Sequence, residues 1–284
     1  MRQAGKNLKI TVNNLAVCYN DEGWDNAPVI VFIHGFPFNK SMWDPQAEAL
    51  KDNYRVLAYD IRGHGDTEEG MEDFTIDLFV SDLAGLMDEL KIDTAMLCGL
   101  SMGGYIALHA VEKYPGRFYA LVLSDTQCTA DSPEAKEKRM KSIESIKETG
   151  VENYADSNIK NFFAPGSLTA MVEEVAAVKA MILETPQQSL IKTLTALSIR
   201  NESCSKLSEI EVPVLILVGK EDKITPPEVS LFMHKKIKKS SMYVLDHSGH
   251  LPNIENQKTF NEQLKIFADS ITHTIPFLSD QGGF

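Results

Sequence analysis

The chain has 284 residues, 43% hydrophobic and 24% charged, the mix of an ordinary globular protein with apolar residues enough for one sizeable core. Its formal net charge of −12 offers no basic field for phosphates, which excludes nucleic acid and anionic membrane surfaces as partners. Cys18, Cys98, Cys128 and Cys204 lack C-x-x-C spacing, so neither a metal site nor a redox motif is expected.

Met1 to Lys6 contain no apolar signal core, and no run of ~18 apolar residues follows, so a soluble, cytoplasmic protein is expected. Leu8 to Tyr19 reads as a strand or hairpin turning at Asn13-Asn14, and Asp21 to Ala27 as a loop. Strands and helices then alternate. Val29 to Ile33, Tyr54 to Tyr59, Thr94 to Cys98 and Tyr119 to Leu123 read as strands. Helices are expected over Ser41 to Lys51, over Thr75 to Leu90 with Thr75 or Asp73 as cap, and over Met102 to Tyr114. This rhythm predicts an α/β fold with a mostly parallel sheet and helices on both faces.

The rhythm breaks after Ser124. Glu134 to Glu148, Val151 to Phe163, Leu168 to Glu184 and Gln187 to Arg200 all read as helices, punctuated by Gly150, Pro165-Gly166 and Pro186. Strands resume with Val214 to Gly219 and Met242 to Leu245. A last helix runs from Asn253 to about Ile271, and 273–284 reads as an irregular tail.

Three of these strand ends carry chemistry. Gly99-Leu100-Ser101-Met102-Gly103 is a G-x-S-x-G turn between a strand and a helix, the setting that exposes a serine hydroxyl above a sheet edge. Asp222 follows the strand ending at Gly219, and His247 and His250 follow the strand ending at Leu245. A serine at neutral pH needs a base to take its proton and an anion to orient that base. Asp125 and Asp246, each directly after a strand, compete with Asp222 as the acid, and His247 competes with His250 as the base. Open α/β sheets bind ligands at this edge.

With these motifs the chain resembles the α/β-hydrolase superfamily over nearly its full length. His34-Gly35-Phe36-Pro37 looks like the oxyanion loop of that family, Ser41-Met42-Trp43 like the start of its first helix, and Asp60-Ile61-Arg62-Gly63-His64-Gly65 like its D-x-R-G-x-G turn. Within the superfamily the residues around Ser41 to Gln46 and Cys98 to Gly104 look most like enol-lactonases and small carboxylesterases. The resemblance implies an α/β-hydrolase core of residues 1–130 and 206–272 and a helical lid of residues 131–205 over the active site. It implies Ser101 as nucleophile, His250 as base from the histidine loop, Asp222 as acid from the Gly219-x-x-Asp222 pattern, and the backbone N–H groups of Phe36 and Met102 as oxyanion donors. His34 is then expected to shape the oxyanion loop rather than to catalyse.

The implied activity is hydrolysis of a small-molecule ester or lactone, with no cofactor and no metal. A lyase using the same triad and a receptor on the same fold are the alternatives. A serine at position 101 argues against the relatives that use an aspartate nucleophile. Phe162, Phe163 and Met181 are expected to bind substrate. Asp60, Arg62 and His64 are expected to tie their turn electrostatically, and Glu68, Glu69, Glu72 and Asp73 to form a solvated acidic loop. Cys98 is expected as a buried small hydrophobe, and composition does not favour a Cys128–Cys204 bridge. Arg139, Lys160, Lys179, Lys192 and Arg200 are expected as surface charges of the lid, which predicts a neutral ester rather than an anionic lactone as substrate.

Overall fold

In the computed structural model, which describes residues 2–272, the amino-terminal alternation forms a hairpin of β1 (Gly5–Val12) and β2 (Leu15–Glu22). Asn13 and Asn14 close it, both at positive φ, a region that asparagine tolerates. β2 extends to Glu22, beyond the expected end, because Tyr19 to Glu22 pair with β4 (Arg55–Tyr59). With β3 (Val29–Ile33), β5 (Ala95–Leu100), β6 (Phe118–Ser124), β7 (Val214–Gly219) and β8 (Ser240–Leu245) these strands form one sheet in the order β1-β2-β4-β3-β5-β6-β7-β8. Pairings from β4 through β8 are parallel, and those of β1 with β2 and of β2 with β4 are antiparallel.

β4, β5 and β7 are buried at every residue, as continuous apolar strands of a parallel sheet covered on both faces must be. The expected helix over 41–51 is a 3-10 turn, Lys40–Trp43, leading into α1 (Asp44–Leu50), with Asn39 capping the turn through the N–H of Ser41. Thr75, not Asp73, caps α2 (Ile76–Glu89) by accepting from the N–H of Leu78 at 3.0 Å. α3 (Met102–Lys113) follows β5, and α2 packs against it. Near the carboxyl end come α8 (Pro227–Lys236), the short α9 (Pro252–Glu255) and α10 (Gln257–Thr272). Trp43 joins the sheet to α10, its ring 4.9 Å from Phe32 and 6.1 Å from Phe260. The predicted tail over 273–284 lies outside the described residues. Among the described residues no helix is long and apolar enough to cross a membrane.

Between β6 and β7 lies a helical insertion of α4 (Pro133–Phe162), α5 (Ser167–Ala170), α6 (Val172–Glu184) and α7 (Gln187–Ile199). The two helices expected on either side of Gly150 follow one another across a sharp kink within α4, where Gly150 leaves the helical conformation at φ 82°. Only a residue without Cβ takes that conformation at no steric cost.

A bridge joins Cys128 to Cys204, correcting the sequence reading. The two cysteines are 76 residues apart in the chain, but β6 and β7 are neighbours, so the loops leaving one and entering the other meet. The N–H of Ser203 donates to the carbonyl of Cys128 at 2.8 Å, which holds the two segments side by side. Cys18 and Cys98 are free and buried, and burial pushes the Cys98 thiol well above its usual range.

Candidate active site

Between β3 and β5 the chain order reverses: β3 leads out to β4, and β4 leads back across β3 to β5. Loops leaving β3 and β5 therefore diverge and open a crevice at the carboxyl ends of the strands. Ser101 sits there, between the last residue of β5 and the first of α3, at φ 54° and ψ −113°. A Cβ at position 99 would collide with the carbonyl of Gly103, and one at 103 with the carbonyl of Ile33. The strained turn is clamped from β6 and the loop beyond it: the N–H of Ser101 donates to the Ser124 carbonyl at 2.9 Å, and Thr126 Oγ1 donates to the Ser101 carbonyl at 2.7 Å.

The loops after β7 and β8 bring Asp222 and His250 together. Asp222 Oδ2 lies 2.8 Å from His250 Nδ1, with both side chains buried. The same carboxylate accepts from the N–H of Ile224 at 2.8 Å, the N–H of Thr225 at 3.2 Å and Thr225 Oγ1 at 2.7 Å. Burial alone would raise the pKa of Asp222, but His250 and these donors outweigh it and bring it down to about 2. The backbone of His250 is fixed by its N–H donating to the Phe162 carbonyl at 2.9 Å. His247 lies at positive φ in the turn, and Asp246 pairs at the surface with Lys220.

Phe36 lies in the loop after β3, and Met102 is the first residue of α3, so its N–H is one of the first-turn amides that have no carbonyl partner within the helix. Both residues line the same cleft as Ser101. His34 supports their loop. Its Nδ1 lies 2.9 Å from the Gly35 carbonyl, and its Nε2 accepts from the N–H of Ile61 at 2.9 Å. A carbonyl can only accept and an N–H only donate, so His34 is the neutral Nδ1–H tautomer. Burial, reinforced by His64 nearby, lowers its pKa well below the usual value.

The expected electrostatic tie among Asp60, Arg62 and His64 is corrected. Asp60 bonds Lys40 Nζ at 2.8 Å and also accepts from the N–H groups of Lys40 and Asp66, whereas Arg62 turns away to Asp82 and Glu72. His64 is buried and its pKa falls to about 4, so at neutral pH it brings no charge. The acidic loop is likewise not simply solvated. Glu68 accepts from the N–H of Ala16, Glu72 pairs with Arg62, and Glu69 takes Lys192 and Ser189 of α7.

The cleft at the strand ends has a volume of about 440 Å³. Ser101 and His250 line it together with Tyr105, Tyr154, Phe162, Leu194, Leu197 and Ile224. Of the three expected substrate-binding residues only Phe162 lines it. Phe163 and Met181 turn into the packing beneath. Periodicity could not separate them, because a helix in an insertion can face either the cleft or its neighbours. A second groove, of about 470 Å³, lies at the amino ends of β6 and β7, away from Ser101.

The insertion's cations are not all surface charges. Arg200 is buried, bonded to Asp131 and to the carbonyls of Leu197 and Thr129, with its guanidinium 4.3 Å from the centre of the Tyr105 ring. Arg139 pairs with the same Asp131 and lines the cleft, as do Lys138 and Lys223 at its rim. Burial would raise the pKa of Asp131, but the two guanidiniums outweigh it and hold the carboxyl below the usual range. One carboxylate thus serves two guanidiniums, leaving one positive charge in excess beside the cleft. Lys179 and Lys192 pair outside the cleft with Asp156 and Glu69, and Lys160 is exposed.

Two groups of side chains stand close enough to share a cation, Cys18–Asp60–Asp66 and Asp125–Asp222–His250. In the first, the Lys40 ammonium already bonds Asp60. In the second, Asp222 is taken up by four hydrogen bonds, one of them to His250.

Comparison with known proteins agrees with this geometry. The family described as serine aminopeptidase, S33, matches residues 25–257. The 3-oxoadipate enol-lactonase 1 of Acinetobacter baylyi is 30% identical over 94% of this chain and 95% of its own. A thermophilic esterase from Thermogutta terrifontis, solved with malate bound, superposes with a TM-score of 0.88 at 31% identity, over 93% of this chain and 98% of its own. The enol-lactonase from Burkholderia xenovorans LB400 gives 0.87 at 28% identity, over 92% and 100%.

Proposed function

The chain belongs to the α/β-hydrolase superfamily of serine hydrolases, and from that premise we propose that it cleaves a small carboxylic ester or lactone through an acyl-enzyme on Ser101. His250 takes the serine proton on Nε2. Its Nδ1–H is donated to Asp222, which fixes the tautomer that leaves Nε2 free to accept. As Ser101 Oγ bonds to the carbonyl carbon, the N–H groups of Phe36 and Met102 receive the developing oxyanion. One such donor contributes roughly 3–4 kcal/mol to the transition state. The imidazolium then protonates the leaving oxygen, and a water deprotonated by His250 releases the acid. The observation that carries this reading is the buried 2.8 Å contact of His250 with Asp222 in a cleft that Ser101 shares. A fluorophosphonate probe is expected to label Ser101 in peptide mapping, and Ser101→Ala to abolish both labelling and turnover of a simple aryl ester. An adduct on any other residue overturns it.

The excess positive charge around Arg139 favours a substrate that carries a second, anionic group. The chain is strongly acidic, so a cation left over beside the cleft is a local arrangement rather than an average. Malate in the Thermogutta esterase is a dicarboxylate, which agrees with this reading. A carboxylate-bearing ester is expected to exceed a neutral aryl butyrate of similar size in kcat/KM by about tenfold, worth ~1.4 kcal/mol. Equal rates, or a preference for the neutral ester, return the substrate to the neutral class expected from the sequence.

A further inference from the structure

Asp222 orients the imidazole of His250, but the main chain that delivers that imidazole runs through Gly249. Glycine is required there, because a Cβ would lie 2.6 Å from the nitrogen of Ala164 and from the carbonyl carbon of Phe163. The missing side chain also makes position 249 the freest to rotate in its loop. Hydrogen bonds remove that freedom. The N–H of His250 donates to the Phe162 carbonyl at 2.9 Å, and the N–H of Gly249 donates to Glu255 Oε1 at 2.7 Å. On the other side of the same peptide, the Ser248 carbonyl accepts from the N–H of Glu221 at 2.8 Å. Glu255 thus holds the one side of the Gly249 peptide that the Asp222 loop does not.

Glu255 stands on a fixed base. It ends α9, where Asn253 Nδ2 donates to the Met42 carbonyl at 3.0 Å and Gln46 Nε2 donates to the Asn253 carbonyl at 2.9 Å. Its Oε2 accepts from the N–H of Ala164, just beyond α4, at 2.7 Å. The Ser167 hydroxyl and the N–H of Leu251 also donate to it. Glu255 is half-buried, and among the described residues no cation pairs with it. Burial pushes its carboxyl above the usual range against the pull of all these donors. A neutral side chain would avoid that cost if the position needed only to be filled. What a carboxylate adds is two acceptor oxygens and no donor, so it takes N–H groups from two segments at once. Glutamine has the same length but one acceptor oxygen, and its amide would turn a donor toward one of those N–H groups.

Resting on the serine-hydrolase reading above, we propose that Glu255 is a positioning residue for His250. Its carboxylate clasps Gly249 to Ala164 and so fixes the direction from which the main chain presents the imidazole to Ser101. The clasp also keeps the base in register with Phe162, whose ring lines the cleft 6.3 Å from the ring of His250. Without it Gly249 is free to turn, and a displacement of about 1 Å at the base costs on the order of 100-fold in rate.

Glu255→Gln is expected to lower kcat for a small neutral aryl ester by about tenfold or more and to leave KM within about twofold, since the base acts in the transition state and not in binding. A second readout needs no substrate. The proton between His250 Nδ1 and Asp222 gives a low-field NMR resonance, which is expected to shift and broaden in Glu255→Gln. Glu69→Gln is the control: it cuts another carboxylate tie of the insertion, to Lys192 and Ser189, and is expected to leave both kcat and the resonance unchanged. Glu255→Asp keeps two acceptor oxygens on a shorter stem, and its kcat is expected to lie between those of wild type and Glu255→Gln. Wild-type kcat with an unmoved resonance in Glu255→Gln overturns the proposal, as does the same result in Glu255→Asp should Glu255→Gln not fold. A rise in KM at constant kcat, or an equal loss of kcat in Glu69→Gln, overturns it as well. Should the wild-type enzyme turn over no ester, the hydrolase reading fails, while the resonance still decides whether Glu255 holds the imidazole.

Discussion

β5, β6 and β7 are almost wholly buried and carry Ser101, Asp125 and Asp222 at or just beyond their ends, whereas the insertion between β6 and β7 joins the core through one face of its helices and adds polar and covalent ties. Its attachments are the Asp131 pair with Arg139 and Arg200, Glu69 with Lys192, Asn39 with Glu184, the N–H of Ala164 with Glu255, and the Cys128–Cys204 bridge. Close-packed strands resist displacement, since a shift opens voids throughout the core. A partly solvated ion pair such as Glu69 with Lys192 can be exchanged at little cost, whereas the buried Asp131 with Arg200 holds more firmly. The difference teaches a division: the proposed triad hangs from loops at the carboxyl ends of the strands, and Arg139 with much of the remaining cleft lining sits on the insertion. Four changes put that division to the test.

The sharpest break falls on the sheet side. His250→Gln and Asp222→Asn are each expected to cost about 10,000-fold in kcat, while His247→Gln and Asp125→Asn stay near wild type in steady-state assays. An inactive Asp125→Asn enzyme would place the acid after β6 instead. Next comes the seam. Replacing Cys128 and Cys204 by serine frees a 76-residue separation, and the loop-entropy relation gives a loss of roughly 4 kcal/mol. Hydrogen exchange is expected to locate the loosening in the insertion, with β5 and β7 protected as before. Loss of protection spread evenly over the sheet would dissolve the comparison.

A smaller effect concerns pH. Asp222 is depressed to about 2 when folded, against a reference near ~3.9, so its contribution to stability is fully present above about pH 5 and is lost as pH falls toward 2. The destabilisation by Asp222→Asn, measured by denaturant unfolding, is thus expected at pH 7 and shrinks toward pH 3. The smallest change lies on the insertion. Arg139→Gln is expected to raise KM for a carboxylate-bearing ester about tenfold and leave kcat for a neutral ester unchanged. A fall in kcat for both substrates would mean that the insertion also positions the reacting atoms.

Much of the sheet was legible because a buried parallel strand writes itself as a continuous apolar run, and the elbow because its glycines sit where a Cβ cannot. Errors gathered where a side chain has two places to go. Phe162 and Phe163 are adjacent and chemically identical, yet only the first reaches the cleft. Arg200 reads as a surface charge at the end of a helix, but it is buried because Asp131, 69 residues earlier in the chain, and the Tyr105 ring receive it.

Local pattern therefore determined the strand-helix order, the G-x-S-x-G turn and the strand ends that carry Asp222 and His250, since periodicity and steric demand act within a few residues. Residue pattern left the acid open among Asp125, Asp222 and Asp246 until resemblance pointed to Asp222, and tertiary structure alone decided which cysteines join and where the insertion's charges point. Asp222 and His250 are 28 residues apart in the chain, Asp131 and Arg200 69, and Cys128 and Cys204 76, and a sequence window records composition and period but not the distance between its distant members.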